Sequence, residues 1–188
     1  MSLLTIHPES GAGMPEIVRD GDGDAIAARL AGIGVLFERW QANRAFGPDA
    51  GQDTILAAYG DPVERLKEKY GFESADVISV DPDHPQKSEL RSRFLSEHTH
   101  GDFEVRFFVE GRGLFYLHVG DRVYGILCER GDLLSVPSNT RHWFDMGAEP
   151  CLKCIRLFTT PEGWVADFTG SDIGDRFPKL EDYLKNYA

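Results

Sequence analysis

The sequence of 188 residues has few cysteines, no long apolar run and a shortage of basic residues, and each scarcity excludes a class of protein. Three cysteines, Cys128, Cys151 and Cys154, are too few and odd in number for the disulfide framework of a secreted domain. No stretch approaches the roughly 18 consecutive apolar residues of a membrane helix, and residues 1–15 lack the features of a signal peptide. We therefore expect a protein of the reducing cytoplasm.

The sequence has fewer basic than acidic residues. Its 20 lysines and arginines and 31 acidic residues give a formal net charge of -11. A field of this sign repels nucleic acids and anionic membrane surfaces, so we expect neither as a partner. The acidic composition and the lack of an obvious apolar stripe outside the expected core favour a monomer.

The remaining composition is that of one ordinary globular domain, with 41% hydrophobic and 27% charged residues. Helical spacing of apolar residues dominates a largely helical N-terminal part, residues 1–95. A β-barrel core is expected over residues 96–170, and a C-terminal tail with a short helix over residues 171–188. In the N-terminal part, helices are predicted to begin near Ala25, Gln52, Asp61 and Gln86, with strands at 35–40 and 75–80.

From His98 onward, short alternating runs separated by glycine turns replace the helical pattern. Turns are expected at Gly111-Arg-Gly113, at Gly120-Asp121 and at Gly131-Asp132. Evenly spaced short strands of this kind are typical of an all-β barrel or sandwich.

Four side chains in this region have the spacing of metal ligands. His98 and His100 are two residues apart, which puts both imidazoles on one face of an extended strand. Gly101 and Asp102 allow the chain to bend and bring the Glu104 carboxylate back toward them. His142 lies far downstream, but distant strands are neighbours in a closed barrel. We interpret these four residues as the ligands of one metal ion.

Three neutral imidazoles and one carboxylate suit iron, nickel, manganese, cobalt or zinc, and the thiolates that structural zinc favours are missing. Four protein ligands on a six-coordinate metal leave two adjacent positions open, as a chelating substrate requires. We therefore expect a catalytic site. The other histidines, His7, His84 and His118, are interpreted as ordinary hydrogen-bonded side chains.

Two long segments carry a resemblance to a known family. Residues 97–116, which begin Glu-His-Thr-His-Gly-Asp-Phe-Glu, and residues 131–145, which begin Gly-Asp-Leu-Leu-Ser-Val-Pro, closely resemble the bacterial acireductone dioxygenases of methionine salvage. The similarity continues into the helical N-terminus and into residues 155–164. It implies a mainly β fold, a cupin double-stranded β-helix (jelly-roll) barrel. The general cupin pattern is broken at Asn139, where it has glycine, and at Asp145 or Met146, near its final asparagine.

The resemblance also implies an activity. The expected substrates are the enediol 1,2-dihydroxy-3-keto-5-methylthiopentene and dioxygen, with Fe2+ or Ni2+ as the one metal of the chain. In that family, iron gives 4-methylthio-2-oxobutanoate and formate, whereas nickel gives 3-methylthiopropanoate, formate and carbon monoxide. The ligands are the same for both metals, so both remain open.

A dianionic enediolate needs local positive charge in a protein this acidic. Arg106 shares the face of Glu104 two residues away, and Arg156 can reach the same cavity from a later strand, so both are candidates for catalysis. Each could instead form a structural ion pair. For the methylthio tail we hypothesise that the aromatic residues Phe94, Phe144 and Trp164 bind substrate; the alternative is that such aromatic residues belong to the barrel core.

Two alternatives use the same ligand set. One is a different cupin oxygenase or isomerase acting on another small polar substrate. The other is a non-catalytic, ligand-sensing cupin, which would be expected to have an output segment such as a DNA-binding helix-turn-helix, and the acidic sequence supplies none.

Overall fold

The computed structural model describes residues 1–19, 23–47, 49–160 and 165–188. The strands in these ranges are β1 (Leu3–Pro8), β2 (Glu16–Arg19), β3 (Leu36–Arg39), β4 (Ser74–Val80), β5 (His98–Thr99), β6 (Glu104–Val119), β7 (Arg122–Glu129), β8 (Asp132–Val136), β9 (Arg141–Asp145), β10 (Leu152–Phe158) and β11 (Asp167–Phe168). The helices are α1 (Asp24–Ala31), α2 (Gln52–Ala58), α3 (Gly60–Tyr70), α4 (Lys87–Phe94) and α5 (Leu180–Tyr187).

Two antiparallel sheets share the long strand β6. In one sheet the order is β11-β5-β9-β6-β7-β1-β2. In the other, β8 and β10 flank β6, with β3 beyond β8 and β4 beyond β10. The first half of β6 pairs with β8 and β10 and its second half with β7 and β9, so one strand joins the two sheets at a corner.

Gly111 lies at this corner, and the turn predicted at Gly111-Arg-Gly113 is wrong. The chain does not reverse there but continues as a single strand, with a bulge opposite Lys153 and Cys154. Gly111 has φ 74°, and a Cβ at this position would lie 1.6 Å from the Cys151 carbonyl oxygen. Glycine is therefore required because the strand bends here, not because it ends.

The predicted elements of the N-terminal part are present, but two strands accompany them that were not predicted. β1 is buried along almost its whole length, between β2 and β7, so its sequence has no alternation of polar and apolar residues. β2 is short and lies at the sheet edge. With β3 and β4, this part has as many strands as helices, and the description of residues 1–95 as largely helical needs correction.

The predicted fold class is confirmed: the protein is mainly β, with helices in the N-terminal third and a short C-terminal helix. Asn139, in the glycine position of the cupin pattern, has φ 60°, a left-handed conformation that asparagine tolerates better than most residues. In the part of the chain described, no helix is both long and apolar enough to cross a membrane.

Asp145 at the end of β9 ties two helices to the barrel. Its buried carboxylate accepts hydrogen bonds from Arg91 Nε of α4 (2.7 Å) and from the backbone N–H groups of Gly147 (2.9 Å) and Leu180 (2.8 Å), the first residue of α5. Burial opposes ionisation, but these donors hold the pKa of Asp145 below its ordinary value. The ionised carboxylate therefore anchors α4 and α5.

We predict that Asp145→Asn lowers the free energy of unfolding by about 3 kcal/mol at pH 7, because Arg91 loses its buried partner. Since the folded-state pKa is lowered, this stabilisation is complete well above the ordinary aspartate pKa of about 3.9 and is lost as the pH falls through the lowered value. Urea unfolding curves of mutant and wild type should therefore converge in acid. Asp121→Asn, at a side chain that is 91% exposed, is the control, and an equal loss in both variants would contradict this role.

Candidate metal centre

Strand pairing brings the four candidate ligands together from distant parts of the chain. His98 on β5 lies directly opposite His142 on β9, and His142 in turn pairs with Leu117 of β6. Glu104 is the first residue of β6. His100 follows β5, and its carbonyl accepts a hydrogen bond from the Asn139 N–H (2.7 Å), which fixes the loop that leads to β9.

The four side chains form one compact and buried group. One ligand atom from each of His98, His100, Glu104 and His142 lies within 4.8 Å of the other three. The Glu104 Oε2 atom is 3.0 Å from His100 Nε2 and 2.9 Å from His142 Nε2. The His98 ring is centred 4.4 Å from the His142 ring and 4.9 Å from the His100 ring. All four are between 2% and 7% exposed.

Hydrogen bonds on the outer side of each ring set its orientation. His98 Nδ1 donates to the Ser96 carbonyl (2.7 Å), His142 Nδ1 to the Thr140 carbonyl (2.7 Å) and His100 Nδ1 to the Val165 carbonyl (3.2 Å). A carbonyl oxygen only accepts, so each Nδ1 donates outward and each ring turns its Nε2 atom toward the centre of the group. This outer support is typical of metal-binding histidines.

The Glu104 carboxylate is ionised although it is buried. Burial alone would raise the pKa of Glu104, but Arg106, with Nε 2.7 Å from Oε1, and the imidazoles of His142 and His100 hold it well below the ordinary value. At His98 the neutral form is favoured instead. Burial and the neighbouring His142 lower the pKa of His98 to about 4. At neutral pH, His98 is therefore a neutral ring beside a charged carboxylate.

Three imidazole Nε2 atoms and one carboxylate that converge on a common buried centre need either protons or a cation between them. The donor set contains nitrogen and oxygen and no thiolate, which fits a divalent transition metal. The residues therefore fit the metal site that the sequence predicts. In the described ranges, no second group of His, Cys, Asp or Glu has this geometry.

A cavity of about 320 Å³ opens beside the centre, and both predicted arginines line it. Arg106 is 4% exposed, donates to Glu104, and has its guanidinium 4.6 Å from the centre of the Phe144 ring. Arg156 also has a carboxylate partner, because its Nε donates to Asp76 Oδ1 (2.7 Å) on β4. Each arginine thus has a carboxylate partner and also a place on the cavity wall.

The three predicted aromatic residues have different positions. Phe94 lines the cavity. Phe144 lies one layer behind it, buried in the core with its ring centre 6.1 Å from that of Phe94. Trp164 lies outside the described residues. The structure adds apolar wall residues that the sequence analysis did not single out, namely Ile78, Leu90, Ala166 and Phe168. Leu90 could have been found from its helical spacing to Phe94.

A larger cavity, about 530 Å³, lies between α3 and the segment that follows β3, with Trp40 and Tyr59 in its wall. It contains none of the four clustered residues, so its size does not make it the catalytic site.

Of the remaining histidines, His7 and His118 lie outside the cluster of four candidate ligands.

Comparison with known proteins gives concordant matches. The model of the ARD/ARD' family matches residues 9–166. Acireductone dioxygenase of Methylococcus capsulatus is 87% identical over the whole of both chains, and that of Aquifex aeolicus is 57% identical over 98% of this chain and 99% of the relative. Among solved structures, acireductone dioxygenase from Bacillus anthracis with a cadmium ion in its active centre is 30% identical, with a TM-score of 0.77 over 89% of this chain and 98% of that one.

We predict that the purified protein, loaded with nickel and dialysed, retains one metal ion per chain and that His142→Ala loses most of it, because the remaining ligands no longer enclose the ion. Elemental analysis of the dialysed proteins measures the difference. His84→Ala, in the loop between β4 and α4, is the matched control and should bind metal as the wild type does. Equal metal content in all three proteins would rule out this centre.

Proposed function

The chain belongs to the ARD/ARD' family, and from this membership we propose that it is a dioxygenase that cleaves 1,2-dihydroxy-3-keto-5-methylthiopentene in methionine salvage. The observation that carries the proposal is the convergence of three imidazoles and one carboxylate beside a cavity with room for a small molecule. We propose His98, His100, Glu104 and His142 as the ligands of Fe2+ or Ni2+.

The metal, when bound, would act as a Lewis acid that orients and polarises two neighbouring oxygens of the enediolate. The protein supplies the surroundings of these oxygens. The outer hydrogen bonds of the three histidines keep the rings in fixed positions, so little reorganisation is needed when substrate arrives. Burial keeps bulk water from the ligand atoms, which strengthens every charge interaction there.

We propose that Arg106 and Arg156 compensate the charge of the bound dianion. Both arginines line the cavity. Arg106 lies next to Glu104, and Arg156 lies next to Asp76. Their carboxylate partners hold each guanidinium in place, so that its planar N–H fork has a fixed position at the cavity wall. An arginine held in this way stabilises negative charge without moving during the reaction.

The apolar part of the cavity wall suits the methylthio tail. Ile78, Leu90 and Phe94 come from β4 and α4 and form one side of it. We propose that Phe94 contacts the tail directly and that Phe144 acts from behind, by supporting the Phe94 ring and the Arg106 guanidinium. Trp164 is proposed as a further tail-binding residue, on the basis of the sequence alone.

The proposal is tested by reconstituting the metal-free protein separately with ferrous iron and with nickel and supplying the enediol aerobically. Iron should give one 4-methylthio-2-oxobutanoate and one formate per dioxygen consumed. Nickel should give one 3-methylthiopropanoate, one formate and one carbon monoxide, and both sets account for all atoms of the enediol and dioxygen. Mass spectrometry and carbon monoxide detection identify the products.

Metal-free protein and the His142→Ala variant are the controls for spontaneous oxidation of the enediol. Loss of enediol no faster than in these controls, with either metal, would remove the assignment. Turnover to other products would favour a different cupin oxygenase.

Phe94→Ala and Phe144→Ala should separate binding from folding. Because Phe94 is only partly buried at the cavity wall, its replacement should raise KM about ten-fold with a modest loss of stability. Phe144 is 1% exposed, so its replacement should cost about 3–5 kcal/mol of unfolding free energy. Steady-state kinetics and urea unfolding of both variants measure this, and a larger stability loss for Phe94→Ala would reverse the assignment.

We further propose that residues 1–188 form one cupin domain that works as a monomer in the cytoplasm. Three free cysteines, two of them buried, support a reducing compartment. The continuity of β6 through both sheets supports a single folding unit.

A further inference from the structure

One face of α4 is directed at the cavity beside the metal centre. Leu90, Arg93 and Phe94 all line this cavity, and their spacing of three and four residues places them together on one side of the helix. Leu90 and Phe94 also pack against the hydrophobic core, whereas Arg93 is exposed. Arg93 is therefore a cation at the solvent side of the cavity.

Three arginines line this cavity, and they differ in their partners. Arg106 is paired with Glu104 and Arg156 with Asp76. Arg93 forms no ion pair with any carboxylate in the ranges 1–19, 23–47, 49–160 and 165–188.

Arg93 also differs from the neighbouring arginine of its own helix. Arg91 is held by Asp145 (2.7 Å) and by Glu181 (2.8 Å), and so fastens α4 to β9 and α5. Arg93 faces the other way and makes no comparable link. A structural role therefore explains Arg91 and leaves the charge of Arg93 unexplained.

The charge of Arg93 acts where an anionic substrate has to enter. The net charge of -11 repels such a substrate at a distance. Within a Debye length, about 8 Å at physiological ionic strength, nearby groups dominate the potential. Arg93, which forms no ion pair with a described carboxylate, attracts an anion at the solvent side of the cavity. Arg106 and Arg156 attract it less strongly, because Glu104 and Asp76 compensate their charges.

We propose that Arg93 captures the anionic enediolate at the mouth of the cavity and guides it toward Arg106 and Arg156; this inference rests on the proposed function. Arg93 makes the first contact, and its exposed side chain is free to follow the substrate inward. The contribution belongs to association and not to the chemical step, so it affects KM and leaves kcat largely unchanged.

The test compares Arg93→Gln with Arg65→Gln. Arg65 is also exposed, also has no ion pair in the described part of the chain, and lies on α3 outside this cavity, so both changes alter the net charge equally. At low ionic strength, Arg93→Gln should lower kcat/KM about five-fold with kcat within about two-fold, and Arg65→Gln should change neither by more than about two-fold. Salt should reduce the difference, and Arg93→Lys should retain most of the wild-type value.

Anaerobic equilibrium dialysis of the enediol against the metal-loaded proteins separates this inference from the proposed function, because binding is measured without turnover. Weaker binding by Arg93→Gln than by Arg65→Gln supports capture even if aerobic turnover fails and the dioxygenase proposal falls. Three results would overturn the capture role of Arg93: equal effects of the two substitutions, a loss confined to kcat, or wild-type protein that binds no enediol. Melting temperatures equal to that of the wild type exclude misfolding as the cause.

Discussion

The structure depends on keeping one carboxylate ionised inside the barrel. Glu104 is 2% exposed, and an uncompensated charge at such depth would be strongly destabilising. Arg106 on one side and two imidazoles on the other compensate it in the protein alone. A divalent cation among the three inward Nε2 atoms completes the compensation. The four side chains are thus a buried donor set suited to a divalent cation.

The fold serves this arrangement by placing rigid elements around it. β6 begins at Glu104, and the alternation along the strand puts Arg106 on the same face. Because β6 runs through both sheets, it fixes the carboxylate and the guanidinium relative to β9, which carries His142. Asp145, three residues further along β9, then holds α4 at the cavity. The candidate metal centre and the cavity wall are therefore parts of one connected framework.

The sequence was most informative where function imposes local spacing. His98, His100 and Glu104 lie within one short segment, and the two-residue period of a strand was enough to bring the histidines together. Partners that depend on tertiary pairing could not be predicted, such as Asp76, which meets Arg156 only because β4 pairs with β10. β1 was missed for a physical reason, since a strand covered on both faces has no alternating pattern to detect. Gly111 was misassigned because a bend and a turn require the same backbone freedom.

X-ray absorption spectroscopy of the nickel-loaded protein reports which atoms bind the metal. If His98, His100, Glu104 and His142 are the ligands, the spectrum shows only nitrogen and oxygen ligands, with the multiple-scattering signature of three imidazoles, and two positions filled by exchangeable ligands. Addition of the enediol without dioxygen should replace those two and leave the imidazole count unchanged. A sulfur ligand, as from Cys128 or Cys154, or a first shell with fewer than three imidazoles would contradict this ligand set.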